Sequence, residues 1–254
     1  MFDAKRLLDQ FLGSQTKGRP GQGGGFGGSD LGDMARRALG GGSGGLGGGL
    51  GGLGGGALAG GLATILLGNK SVRKMGGSAL QLGGMAVVGA LAYTAYKNWQ
   101  AGQQPGASPQ GVSALSVAPP PNTPFNPSDE REQQTLARNL LRAMIAAAKA
   151  DGHVDGEEQA NIFAQMDRLD LDADDKAFVM DELRGPLNVD AVAAGSRSPE
   201  EAAEIYTASL LAIDVDNPSE RGYLAMLAAR LKLDDKLVEH LHATVEGASN
   251  QPGA

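Results

Sequence analysis

Twenty-two of the chain's 40 glycines fall between Gly21 and Gly61. Backbone without side chains loses the most entropy on ordering and brings no apolar surface to offset that loss. Much of the front of this 254-residue chain is therefore withdrawn from any core, and residues 15–53 read as a Gly-rich disordered linker. G-x-G-x-x-G matches inside it arise from composition alone. LLGNKS at 66–71 is no phosphate loop, because Asn69 separates Gly68 from Lys70 and no strand precedes it.

Charge divides the chain in two. Residues 1–128 carry a net +6 and residues 129–254 a net −13. The acidic half would repel phosphate, which argues against nucleic acid as a partner. The basic front suits an anionic membrane surface. With no cysteine there is no disulfide, thiol nucleophile or Cys-based metal site.

Residues 1–14 place Phe2, Leu7, Leu8, Phe11 and Leu12 near one side of a short amphipathic helix. It either docks on the rest of the chain or anchors at an interface. No h-region and cleavage site follow the first basic residues. Residues 76–96 read GGSALQLGGMAVVGALAYTAY, uncharged and bracketed by Lys74 and Lys97. Their length can span a hydrocarbon core at about 1.5 Å per residue. Tyr93, Tyr96 and Trp99 stand where an aromatic belt would lie, and Ala86, Ala90 and Thr94 repeat at small-xxx-small spacing. Residues 54–68 form a weaker apolar segment that could pair with this one. The expectation is a membrane helix or hairpin within residues 54–100, contacting lipid; a Gly-rich helical hairpin outside the membrane is the alternative. Residues 101–128, rich in Pro, Gly and Ser, read as a linker with polyproline character at Pro119–Pro121.

Residues 129–248 are helical in pattern. Leu136, Leu140, Ala143, Met144, Ala147 and Ala148 follow the i, i+3, i+4 rule; Ile162, Phe163, Met166 and Leu169 mark a second helix, and Phe178, Val179 and Leu183 a third. A shift of 62 positions partly superimposes this half on itself: residues 168–172 (RLDLD) fall on 230–234 (RLKLD), and Glu158 falls on Glu220. The fold class is all-α, a bundle of two related three-helix units behind the Gly-rich and apolar segments.

Residues 150–158, ADGHVDGEE, are dense in acids. They do not form an EF-hand loop, since counting from Asp151 puts Ile162 where the bidentate Glu belongs. Asp155 and Glu158 have the spacing of a helix-capping box, as do Asn217 with Glu220 and Ser198 with Glu201, and more loosely Asp172 with Asp175. Capping leaves Asp151, His153, Asp214 and Asp216 unexplained. These make a solvated acidic turn, a site for a hard cation such as Ca²⁺ or Mg²⁺, or a surface for a protein partner. His240 and His242 are two apart on a helix and cannot chelate one metal. No catalytic constellation is visible, so a non-enzymatic role is expected.

AKADGHVDGEE followed by RLDLD, with its echo AIDVDNPSERGYLAMLAARLKLD, resembles the TerB-like helical domain, associated by name with tellurite resistance. The whole layout, with its Gly-rich front, GNKSVRK segment, apolar span, linker and acidic helices, resembles the YebE-like inner-membrane proteins. That resemblance implies a bacterial inner-membrane location, a stress or envelope role and a metal-associated acidic site. The site maps onto Asp151, Asp155, Glu158, Asp214 and Glu220, with Ile213-Asp214-Val215 departing from the Asp-Gly pattern in the second unit.

Overall fold

The periodic segments become helices in the computed structural model, which describes residues 3–13, 83–106, 114–150, 173–213, 215 and 218–250. These are α1 (Ala4–Gly13), α2 (Gly84–Gln100), α3 (Glu130–Ala148), α4 (Ala173–Arg184), α5 (Val189–Ala193), α6 (Pro199–Ala212), α7 (Pro218–Leu231) and α8 (Asp235–Asn250), with a 3₁₀ turn at Ala114–Ser116. No strand occurs among the described residues, so the all-α expectation holds. The expected linker at 15–53, the apolar segment at 54–68 and the helix expected around Ile162 lie outside them.

Sequence chemistry sets the helix starts. Asp129 accepts the Glu132 N–H at 3.0 Å to open α3. Ser198 accepts the Glu201 N–H at 3.2 Å ahead of Pro199, which suits the first helical position. Glu201 reaches back to the Arg197 N–H at 2.8 Å and pairs with its guanidinium at 2.7 Å. The capping box expected at Ser198–Glu201 is therefore formed.

α6 is the axis of the fold. Every residue from Glu201 to Ala212 is buried, the pattern of a helix surrounded on all sides. α3 packs along it, and Ala143, Ala147, Ala203 and Ala208 are fully buried. The Ser209 hydroxyl donates to the Ala143 carbonyl at 3.3 Å, which places the two backbones close together. α2 packs on α6 and α8, α1 on α3 and α2, and α5 on α7.

The N-terminal helix docks. Ala4, Leu7 and Leu8 are fully buried, and the Asp175 carboxylate, itself fully buried, accepts the Asp3 N–H at 2.9 Å and the Arg6 guanidinium at 3.1 Å. Asp3 in turn caps α1. Hydrogen bonds from the Arg6 N–H and the Gln134 amide hold its carboxyl below the ordinary value. Asp175 is thus an anchor for α1 as well as a first-turn residue of α4.

The run at 76–96 departs from the membrane expectation. Its described part belongs to α2, a helix of 17 residues. At 1.5 Å per residue that is about 26 Å, short of the ~30 Å hydrocarbon thickness. Val88, Leu91, Ala92 and Ala95 are fully buried among the other helices. No helix among the described residues is long and apolar enough to cross a membrane. The small residues that would let membrane helices approach let α2 enter a protein core instead. Gly89 shows this directly, since a Cβ there would lie 2.9 Å from the Phe125 carbonyl oxygen.

The expected aromatic belt is an aromatic clasp. Tyr93 and Tyr96 meet the Phe125 ring edge-on, each at 5.6 Å between centroids, and Tyr96 meets Trp99 at 5.4 Å. Residues 114–127 are accordingly no free spacer. Ala114, Leu115, Pro119, Phe125 and Pro127 are buried, so this part of the expected linker is a strap along α2. The boundary expected between an apolar segment at 54–100 and a separate domain at 129–248 is replaced, for the described residues, by a shared core.

Candidate functional site

Four of the five residues expected at a metal site (Asp151, Asp155, Glu158 and Asp214) lie outside the described residues, as do His153 and Asp216. Glu220 is described and stands half-buried in the first turn of α7. Among the described residues no group of three or more His, Cys, Asp or Glu side chains is placed to hold a metal ion. His240 and His242 have separate surroundings: His242 Nε2 lies 2.9 Å from the Tyr206 hydroxyl, while His240 is buried elsewhere on α8. Burial pushes the Tyr206 hydroxyl up to about 12 and the His242 imidazole down, so both stay neutral near pH 7 and tie α6 to α8.

Two features carry the chemistry that can be read. The first is Glu204, fully buried in the middle of α6, with neither carboxyl oxygen hydrogen-bonded among the described residues. It faces α2 where Gly89 removes a side chain: the position of the missing Cβ lies 3.4 Å from Glu204 Oε1. Burial first, and the neighbouring Glu201 carboxylate second, push its pKa well above the ordinary glutamate value. An apolar surrounding disfavours the charged form, which makes Glu204 a buried acid rather than an ion-pair partner. A sequence signal was present: Glu204 is the lone charge in the run 202–212, AAEIYTASLLA.

The second feature is the junction of α1 and α2. α2 opens at Gly83, φ 78°, and has no side-chain cap of its own. The Asp9 carboxylate of α1 accepts the Met85 N–H at 3.4 Å and supplies negative charge at that helix start. A Cβ on Gly83 would lie 2.9 Å from Asp9 Oδ1, so glycine is required both for its backbone angle and for the approach. Residues 9 and 85 are thus neighbours in space despite lying 76 positions apart. Residues 14–82 carry seven Lys or Arg and two Asp.

A family model described as "Protein of unknown function (DUF533)" matches residues 52–245. The matched span runs through α2, the strap and the later helices and leaves out α1. A protein of Yersinia enterocolitica described as "Uncharacterized protein in ampR 5'region" is 34% identical over 107 residues, covering 42% of this chain and 73% of its own length. No solved structure matches.

Proposed function

The chain belongs to the DUF533 family of proteins of unknown function, and we propose for it a non-enzymatic helical module attached to an anionic membrane surface. Its C-terminal half is TerB-like and its layout YebE-like, with the acidic turns available to a protein partner or a divalent cation, and the inner membrane is the surface it meets.

The observation that carries this reading is the Asp9–Met85 junction. It joins the two described helices that flank a basic, glycine-rich stretch of sequence, while α2 is buried in the core. Membrane contact then falls to residues 54–82, whose apolar residues adjoin Lys70, Arg73 and Lys74. Attachment is peripheral and electrostatic rather than spanning. Basic residues near an anionic surface contribute about 1 kcal/mol each, and salt weakens them.

Flotation of the full chain with vesicles tests this. Binding to phosphatidylglycerol-containing vesicles at low salt, and none to pure phosphatidylcholine, is the expected result. Changing Lys70, Arg73 and Lys74 together to Gln should weaken binding roughly a hundredfold. Absence of binding to anionic vesicles overturns the reading. Retention through alkaline carbonate extraction replaces it with a spanning segment.

A further inference from the structure

An open cleft of about 810 Å³ lies where the C-terminal end of α2 meets the first turns of α8. Tyr96 and Trp99 supply flat apolar walls, and Gln100, Gln103, Lys236 and His240 supply polar groups. Its size is in the range of small-molecule sites, and it sets two aromatic walls beside four polar side chains.

Which of these polar groups are already used decides what the cleft can take. Burial first, and the neighbouring Glu200 carboxylate second, push the Tyr96 hydroxyl above its ordinary value. Asp234, the nearby acid, accepts from Trp99 Nε1 at 3.2 Å and from the Lys236 and Leu237 N–H groups at 2.9 and 3.4 Å. All three bonds fall on Asp234 Oδ1, which fixes the indole ring in place at the start of α8. Lys236 makes no ion pair among the described residues, and the buried His240 Nδ1 has no hydrogen-bond partner there. The Nδ1 atom is closed off from the cleft, so what remains open to a ligand is a cation and an amide at Gln103 beside two aromatic faces. A ligand that satisfies them has acceptor oxygens at one end and a flat apolar body at the other.

We propose that this cleft binds a small planar carboxylate, its carboxylate at Lys236 and Gln103 and its ring against Trp99 and Tyr96. None of the cleft's lining residues belongs to the acidic turns or to residues 54–82, so the proposal stands independently of the reading above.

Trp99 is the chain's single tryptophan, so its fluorescence reports on the cleft alone. Phenylacetate is a suitable probe, with uncharged 2-phenylethanol as its comparison. Titrating the full chain with phenylacetate should give a saturable change in Trp99 emission. Lys236→Gln, at an exposed position that leaves folding intact, should weaken it at least roughly tenfold, the loss of one charge-assisted contact. Lys232→Gln, outside the cleft, should leave it unchanged. No saturable change with phenylacetate overturns the proposal. So does equal affinity in Lys236→Gln, equal loss in Lys232→Gln, or 2-phenylethanol binding as tightly as phenylacetate.

Discussion

Leu91→Ala lowers the stability of the full chain by roughly 2–5 kcal/mol, the range for deleting a buried leucine side chain. Leu91 is fully buried at the middle of α2 and belongs to the same cluster as Leu140, Ile205 and Leu241. Truncation removes apolar burial and leaves a cavity that surrounding helices fill only in part. Urea unfolding followed by circular dichroism, without detergent or lipid, reads the effect as a fall in the midpoint. A membrane-spanning α2 gives the opposite result, because the helices after residue 129 would unfold at the same urea concentration with or without Leu91.

Glu204→Met raises stability at neutral pH by roughly 1–3 kcal/mol, the usual penalty of a buried polar group without a partner. The pH dependence has a definite sign. The folded-state pKa of Glu204 is raised, by burial and then by Glu201. Its contribution to stability is therefore fully present below the unfolded value near 4.5 and is lost as pH rises toward the raised folded value. Wild type falls behind the methionine variant across that window, and the gap levels off above it. Thermal unfolding of both proteins at a series of pH values measures the gap. Parallel curves would mean that Glu204 finds a partner for its charge in the folded state.

The helical half was legible because periodicity is a local property. Leu136, Leu140, Ala143, Met144 and Ala147 fall on one face of α3, and all are buried. Phe178, Val179 and Leu183 do the same in α4. Ser198 caps α6 because a serine ahead of Pro-Glu-Glu satisfies backbone N–H groups within its own segment. Every one of these rests on residues a few positions apart.

What escaped depends on partners far away in sequence. An uncharged run of small residues says that a helix is buried without saying whether lipid or protein surrounds it, so the 76–96 stretch read as a span. Phe125 lies in the stretch that read as a Pro-rich linker, and only the rings of Tyr93 and Tyr96 make it an anchor. Asp175 resembled a helix-start acid, yet it accepts the Asp3 N–H from 172 positions away. For the acidic turn at 150–158, the description ends at residue 150 and resumes at 173, so its acids keep the three readings that the sequence allows.

The account stands on α2 being part of the folded core, with α1 and the later helices packed around it. Amide hydrogen exchange of the full chain in plain buffer addresses this most directly, because protection reports local opening free energy segment by segment. The backbone amides of residues 87–95 should exchange as slowly as those of residues 140–147 in α3. Exchange of 87–95 at the rate of an unfolded chain, with protection appearing only when lipid is added, would contradict it.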